Sequence, residues 1–197
     1  MPLSGKAVVA QSGGCTAVIN QSLAGVIDAA RVSRPITHLW GARFGVSGML
    51  AGDFVDLKRQ PSTWVRGIAQ TPSAVLGSSR HKLADEEASR VIESFRKKNV
   101  RYLFLIGGND TAETILRIVK AAGEKRYELR AVHIPKTIDN DLMETDHTPG
   151  YGSIARFAAV TTQEAGLDTR AIRDVDPVKI IELMGRNSGW IVAASAL

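Results

Sequence analysis

The sequence holds one cysteine, Cys15, so an internal disulfide is excluded. A reducing, cytoplasmic compartment fits that usage. The four histidines are scattered, and with a single cysteine they offer no structural-zinc spacing. No apolar run approaches the ~20 residues that a membrane span requires, so no membrane association is expected. Glycines interrupt the opening "MPLSGKAVVAQSGG" almost at once, and no cleaved signal peptide is expected. Basic residues are dispersed, with "RKK" at 96–98 as their only run, and no aromatic platform is interleaved with them. The net charge of +5 therefore points to a small anionic partner, such as a phosphorylated metabolite, and away from nucleic acid. Two common phosphate signatures are missing as well. There is no Gly-Lys-Ser/Thr, and "GGCTAV" lacks the third glycine of the dinucleotide fingerprint.

What is present alternates between short apolar runs and longer helical patterns. The runs at 6–11, 36–42, 101–108, 129–136 and 178–185 read as strands. Residues 17–31, 85–99, 111–122 and 153–165 read as helices, and another begins at "SGWIVAASAL". In "DEEASRVIESFRKKN", Ala88, Val91, Ile92 and Phe95 fall on one side. Gly123 is a plausible helix stop, and Pro135 marks the end of sheet pairing. The segment "GARFGVSGMLAGD" reads as a glycine-punctuated loop. Repeated strand–turn–helix units predict an α/β fold: a Rossmann-like parallel sheet with helices on both faces. The chain stops within its last helical pattern, so a fragment of a longer chain is expected.

Every unusual cluster falls at a strand's carboxyl end, where doubly wound sheets bind ligands. Gly13 and Gly14 follow the first strand. Gly107, Gly108, Asn109 and Asp110 follow "YLFLI". Lys136 to Asp141 follow "AVHI", and Met184, Gly185 and Arg186 follow "KIIEL". Paired glycines admit phosphate close to backbone N–H groups, and a helix N-terminus adds partial positive charge. Each glycine pair also suits a plain tight turn. Asp110 with Glu113 also matches a capping box. The acids of "TIDND" are harder to assign to structure alone. Two carboxylates 4 Å apart repel by about 4 kcal/mol at an effective dielectric of ~20. They become favourable around a divalent cation, or if one serves as a proton acceptor.

"SGGCTAVINQSLAGV", "LGSSR", "IGGNDT", "PKTIDND" and "MGRNSGW" occur in the order and rough spacing of the phosphofructokinases, and from about residue 6 onward the chain resembles that family. The resemblance implies transfer of a phosphoryl group to the 1-hydroxyl of fructose 6-phosphate in glycolysis, with magnesium, in a homodimer or homotetramer. It implies a donor-phosphate domain over 1–150 and the start of a sugar-phosphate domain over 151–197. Asp139 resembles the general base. Thr137 and Asp141 resemble contacts to the transferring phosphoryl group and its magnesium. Lys136 resembles a residue that stabilises charge on the donor, and Asn109 stands at a metal-associated position. Gly14, Arg80, Gly108 and Asp110 resemble donor contacts, while Met184, Gly185 and Arg186, with Thr137 and Asp139, resemble sugar-phosphate contacts.

Asp110 resembles the aspartate that pyrophosphate-using members carry where bacterial ATP enzymes have glycine, and Lys136 resembles their lysine. Both favour pyrophosphate, with ATP as the alternative donor and an inactive regulatory homologue as a third reading. The chain departs from the family pattern at Asn109, where most members have aspartate. It also shows no assignable arginine ahead of "MGR". It is shorter than the family's chains, so an incomplete sugar site is expected.

Overall fold

The computed structural model describes residues 3–196. Two compact units part at the bond between Lys136 and Thr137; the sequence placed the change of domain at 150.

The first unit is built on one sheet. Its strands are β1 (Gly5–Gln11), β2 (Ile36–Ala42), β3 (Phe54–Asp56), β4 (Val100–Gly107) and β5 (Arg130–Pro135). Their spatial order is β3-β2-β1-β4-β5. Four strands run parallel, and β3 pairs antiparallel with the end of β2 through Ala42 and Phe54. The helices are α1 (Ala17–Val32), α2 (Val46–Ala51), α3 (Ser62–Ala69), α4 (Asp85–Lys98) and α5 (Asn109–Glu124).

Alternation along the strands divides the core in two. Ala7 and Val9 of β1 face one layer with Ile19, Leu23 and Ile27 of α1 and Val65 and Ile68 of α3. Val8 and Ala10 face the other, with Val91, Ile92 and Phe95 of α4 and Ile115 and Ile118 of α5. A period of two in the strands thus meets a period of 3.6 in the helices, and the sheet is covered on both faces as expected. Helix α4 carries three acids in its first turn and three bases in its last, each sign complementing the helix dipole.

Several details differ from the sequence reading. The glycine-punctuated segment contains α2, and β3 follows it directly. Six residues are too few for a clear helical period, and β3 is too short for strand alternation. Helix α5 runs through Gly123, and the left-handed residue comes later, at Arg126 with φ 47°. One glycine in a helix costs only ~1 kcal/mol, which packing can override.

The second unit holds α6 (Tyr151–Ala171) and α7 (Trp190–Ser195). Helix α6 extends past the expected end at 165. The two helices meet where the Tyr151 hydroxyl donates to the carbonyl of Trp190 at 3.1 Å. The strand expected over 178–185 does not form. A strand needs a ladder partner, and none of the five strands pairs with this segment. Most of its apolar residues stay exposed, with Ile180 91% accessible.

Candidate functional site

Beginning from β1, the sheet order runs outward in opposite directions through β2 and through β4, so a topological switch point lies between β1 and β4. The register sets their carboxyl ends level, Ala10 beside Leu105 and Gln11 beside Ile106. One step further, Gly107 stands beside Pro135 of β5. Three sequence clusters of the first unit therefore emerge side by side: Ser12 to Gly14, Gly107 to Asp110, and Lys136. Backbone bonds extend the ladders beyond the strands, from Ser12 N–H to Ile106 O and from Lys136 N–H to Gly107 O, both at 2.9 Å.

Lys136 is the most telling of these residues. Its side chain is only 4% exposed. Its Nζ donates to the carbonyl of Gly14 at 2.6 Å. Gly13 sits at φ 77°, a left-handed backbone that disfavours side chains, and a Cβ there would lie 3.2 Å from the same Nζ. The turn after β1 thus has glycine for two reasons: backbone conformation and the approach of a cation. Gly107 answers a different demand. A Cβ on it would lie 2.1 Å from Thr111 Oγ1, so its absence lets α5 start directly against the strand end.

A second loop holds the first turn from the other side. The Ser78 hydroxyl donates to Gly13 O at 2.5 Å, while Ser79 O accepts from Gly13 N–H and from Ser12 Oγ, each at 3.1 Å. Ser79 Oγ lies 3.2 Å from Ser47 Oγ and accepts from His81 N–H at 3.0 Å. Arg80 lies between these anchored residues and is exposed. Beneath the loop, fully buried Gln11 receives the Leu76 N–H on its Oε1 at 2.9 Å and donates to Asn20 Oδ1 at 3.0 Å. Asn20 in turn accepts from Val75 N–H at 2.8 Å. The sequence reading singled out Arg80 but missed Gln11, Asn20, Ser78 and Ser79. The signal available was a glutamine ending an otherwise apolar strand.

Gly108 is the N-cap of α5, and Asn109 and Asp110 form its exposed first turn. Asp110 is inside the helix, and no side chain caps it. The capping-box reading is therefore corrected: Glu113 reaches forward to Arg117 at 2.7 Å. The acid at 110 instead stands near the positive helix end.

The acidic turn belongs to the second unit. Thr137 Oγ1 accepts from Asp139 N–H at 3.1 Å and lies 3.3 Å from Asp141 Oδ1. Asp139 and Asp141 flank Asn140, which is buried and adopts φ 54°. The Ser188 hydroxyl donates to the carbonyl of Asp139. Ser188 also closes a turn on Gly185, whose carbonyl accepts its N–H at 3.0 Å. Gly185 has φ 116°, and a Cβ there would lie 2.5 Å from Ser188 O. Met184 and Arg186 on either side are exposed. Among the described residues, no group of three or more His, Cys, Asp or Glu side chains gathers as a metal cage. Asn109 belongs to the first unit and Asp141 to the second.

A doubly wound sheet with glycine turns and a buried lysine at its switch point defines an α/β protein of the class that binds ligands beyond the carboxyl ends of its strands. The family model for phosphofructokinase matches residues 6–197, and the chain belongs to that family. It is 41% identical over 198 residues to the pyrophosphate--fructose 6-phosphate 1-phosphotransferase of Halomonas elongata, covering 97% of this chain and 47% of the relative. The crystal structure of the pyrophosphate-dependent phosphofructokinase from Nitrosospira multiformis superposes with a TM-score of 0.89 at 41% identity, over 97% of this chain and 49% of that one. The ATP-dependent 6-phosphofructokinase of Amycolatopsis methanolica is more distant, at 30% identity over 185 residues, 94% of this chain and 39% of the relative. The chain spans about half the length of the curated relatives it matches.

Proposed function

We infer that the protein built on this chain transfers a phosphoryl group from pyrophosphate to the 1-hydroxyl of fructose 6-phosphate, giving fructose 1,6-bisphosphate. The observation that carries this reading is the buried Lys136 ammonium against the Gly13–Gly14 turn. An ammonium at that point is a fixed charge for donor phosphate. Gly14, Gly108 and Arg80 supply further donor contacts. Asp110, on the first turn of α5, restricts the donor to one without a nucleoside. The names of the relatives at 41–42% identity support pyrophosphate over ATP.

Asp139 takes the proton from the sugar hydroxyl as that oxygen attacks phosphorus, the bridging P–O bond of pyrophosphate breaks and orthophosphate leaves. Thr137 contacts the transferring group, and Met184, Gly185 and Arg186 hold the sugar phosphate. Phosphoryl transfer asks mainly for positioning and charge stabilisation, which this inventory provides. A hard divalent cation such as magnesium suits the oxygen donors of the acidic turn: carboxylates at 139 and 141 with the Thr137 hydroxyl 3.3 Å from one of them. Asp141 would hold it. When bound, such a cation neutralises charge on the phosphate oxygens. The protein acts as a homo-oligomer in the cytoplasm.

The deciding experiment is a donor assay on the full-length protein, with Asp110→Gly and Lys136→Gly alongside. Fructose 1,6-bisphosphate should form with pyrophosphate and not with ATP. Turnover with ATP alone would refute the donor. Turnover with neither, while fructose 6-phosphate still binds, would establish a regulatory homologue.

A further inference from the structure

Asn140 separates the two carboxylates of the acidic turn and holds a left-handed backbone at φ 54°. Asn tolerates this region better than most residues because its short side chain can form local hydrogen bonds. Here those bonds reach beyond the turn. Its Oδ1 accepts from Thr148 N–H at 2.8 Å, and its Nδ2 donates to Asp146 O at 3.1 Å. Thr148 is fully buried. Its hydroxyl is 2.7 Å from the Thr137 carbonyl and 3.2 Å from Asn140 Oδ1. A hydroxyl carries one proton, and the shorter contact takes it.

Two buried polar residues therefore grip the acidic segment at two places. One grip is on the carbonyl of residue 137 and the other on the side chain of residue 140. Asp139 lies between those grips, and Asp141 directly follows the second. The clamp is made of backbone groups, one amide and one hydroxyl, so it uses neither acid. At the base itself, Ser188 adds a third hold through the Asp139 carbonyl.

We propose that Asn140 and Thr148 are positioning residues, whose hydrogen bonds fix the backbone of residues 137–141 so that Asp139 and Asp141 keep the orientation the reaction requires. The proposal rests on the reading of Asp139 as the base. A misplacement of about 1 Å can cost ~10²-fold in rate. A loop that served folding alone would instead show its loss in stability or substrate affinity.

The test uses the full-length protein with Thr148→Val, Thr148→Ser and Asn140→Gly. Thr148→Val removes the hydroxyl at nearly constant volume. Asn140→Gly keeps a backbone that accepts positive φ but removes the side-chain bonds. Both should lower kcat about 10²-fold while KM for fructose 6-phosphate and for pyrophosphate stays close to wild type. Thr148→Ser should recover most of the rate lost in Thr148→Val. Amide exchange across residues 137–148 should rise about tenfold in both damaging variants. Unchanged kcat in Asn140→Gly would overturn the proposal, as would a loss confined to KM. If Thr148→Val does not fold, Asn140→Gly decides alone. If wild type shows no turnover with pyrophosphate, the reading of the reaction fails, and exchange then judges the clamp separately. Raised exchange upholds it as the holder of the acidic segment, and unaltered exchange overturns it.

Discussion

The Nζ of Lys136 and the carbonyl of Gly14 are 2.6 Å apart, although 122 positions separate them in sequence. The bond ties the end of β5 to the turn after β1. It also sets a positive charge against that turn. Lys136→Met keeps most of the buried stem and removes the charge. Its kcat/KM for pyrophosphate should fall about 10²–10³-fold, with a smaller change in KM for fructose 6-phosphate. Steady-state kinetics on the full-length protein with each substrate varied would check this. Unchanged kinetics with both substrates, together with a lower unfolding free energy, would show that the lysine supports folding rather than donor binding.

Asp110 separates structure from specificity. It is exposed and no side-chain cap is formed at its helix start. Asp110→Ala should therefore change unfolding free energy by no more than about 0.5 kcal/mol. A true N-cap would cost about 0.5–2 kcal/mol. Urea denaturation followed by circular dichroism distinguishes the two. In the donor assay, Asp110→Gly should relax the exclusion of ATP.

Phe95 is fully buried in the layer shared by β1, β4, α4 and α5. Phe95→Ala should destabilise the fold by about 3–5 kcal/mol through lost burial and the cavity left behind. Phe95→Leu should cost much less, because most of the volume is retained. Chemical denaturation of both variants provides the measurement.

Three surface carboxyls set an acid limit. The Ala84 N–H, and after it His81, lowers Glu87 below its ordinary value of 4.5. Lys125 lowers Glu93, and Arg117 lowers Glu113. Each gives up its proton more readily in the folded chain than in the unfolded one, so the unfolded chain binds more protons at acid pH. The stabilisation is present above pH 4.5 and is lost as pH falls through the lowered values. Glu93 and Glu113 are solvent-exposed and Glu87 is half-buried, so the effect is small and salt weakens it. Thermal unfolding across that range should show Tm falling on acidification, less steeply in Glu113→Gln than in wild type.

How far the sequence revealed the molecule depends on how long each signal is. Helix α4 was legible because Ala88, Val91, Ile92 and Phe95 repeat over about two turns, and all four are buried. Strands β1 and β4 were legible as apolar runs ending in glycines. Helix α2 and strand β3 were not, since neither is long enough to establish a period. The run at 178–185 has the composition of a strand, but a strand is a property of a pair, and none of the five described strands pairs with it. At the site, Lys136, Asp139 and Asp141 stood out as charges in unusual company. Gln11, Asn20 and Thr148 did not, because single polar residues become meaningful only when folding brings distant carbonyls and amides to them.

The central place of β1 orders events in time. Its neighbour β4 begins at Val100, and the lysine that completes its turn comes at 136. On the ribosome, the first strand must wait with one edge bare while roughly a hundred residues are made, about 5–20 s at ordinary synthesis rates. A chain interrupted anywhere before Lys136 would carry the glycine turn but not the cation that meets it. Nascent-chain arrest at successive lengths should therefore show pyrophosphate protection appearing only after that residue has left the exit tunnel.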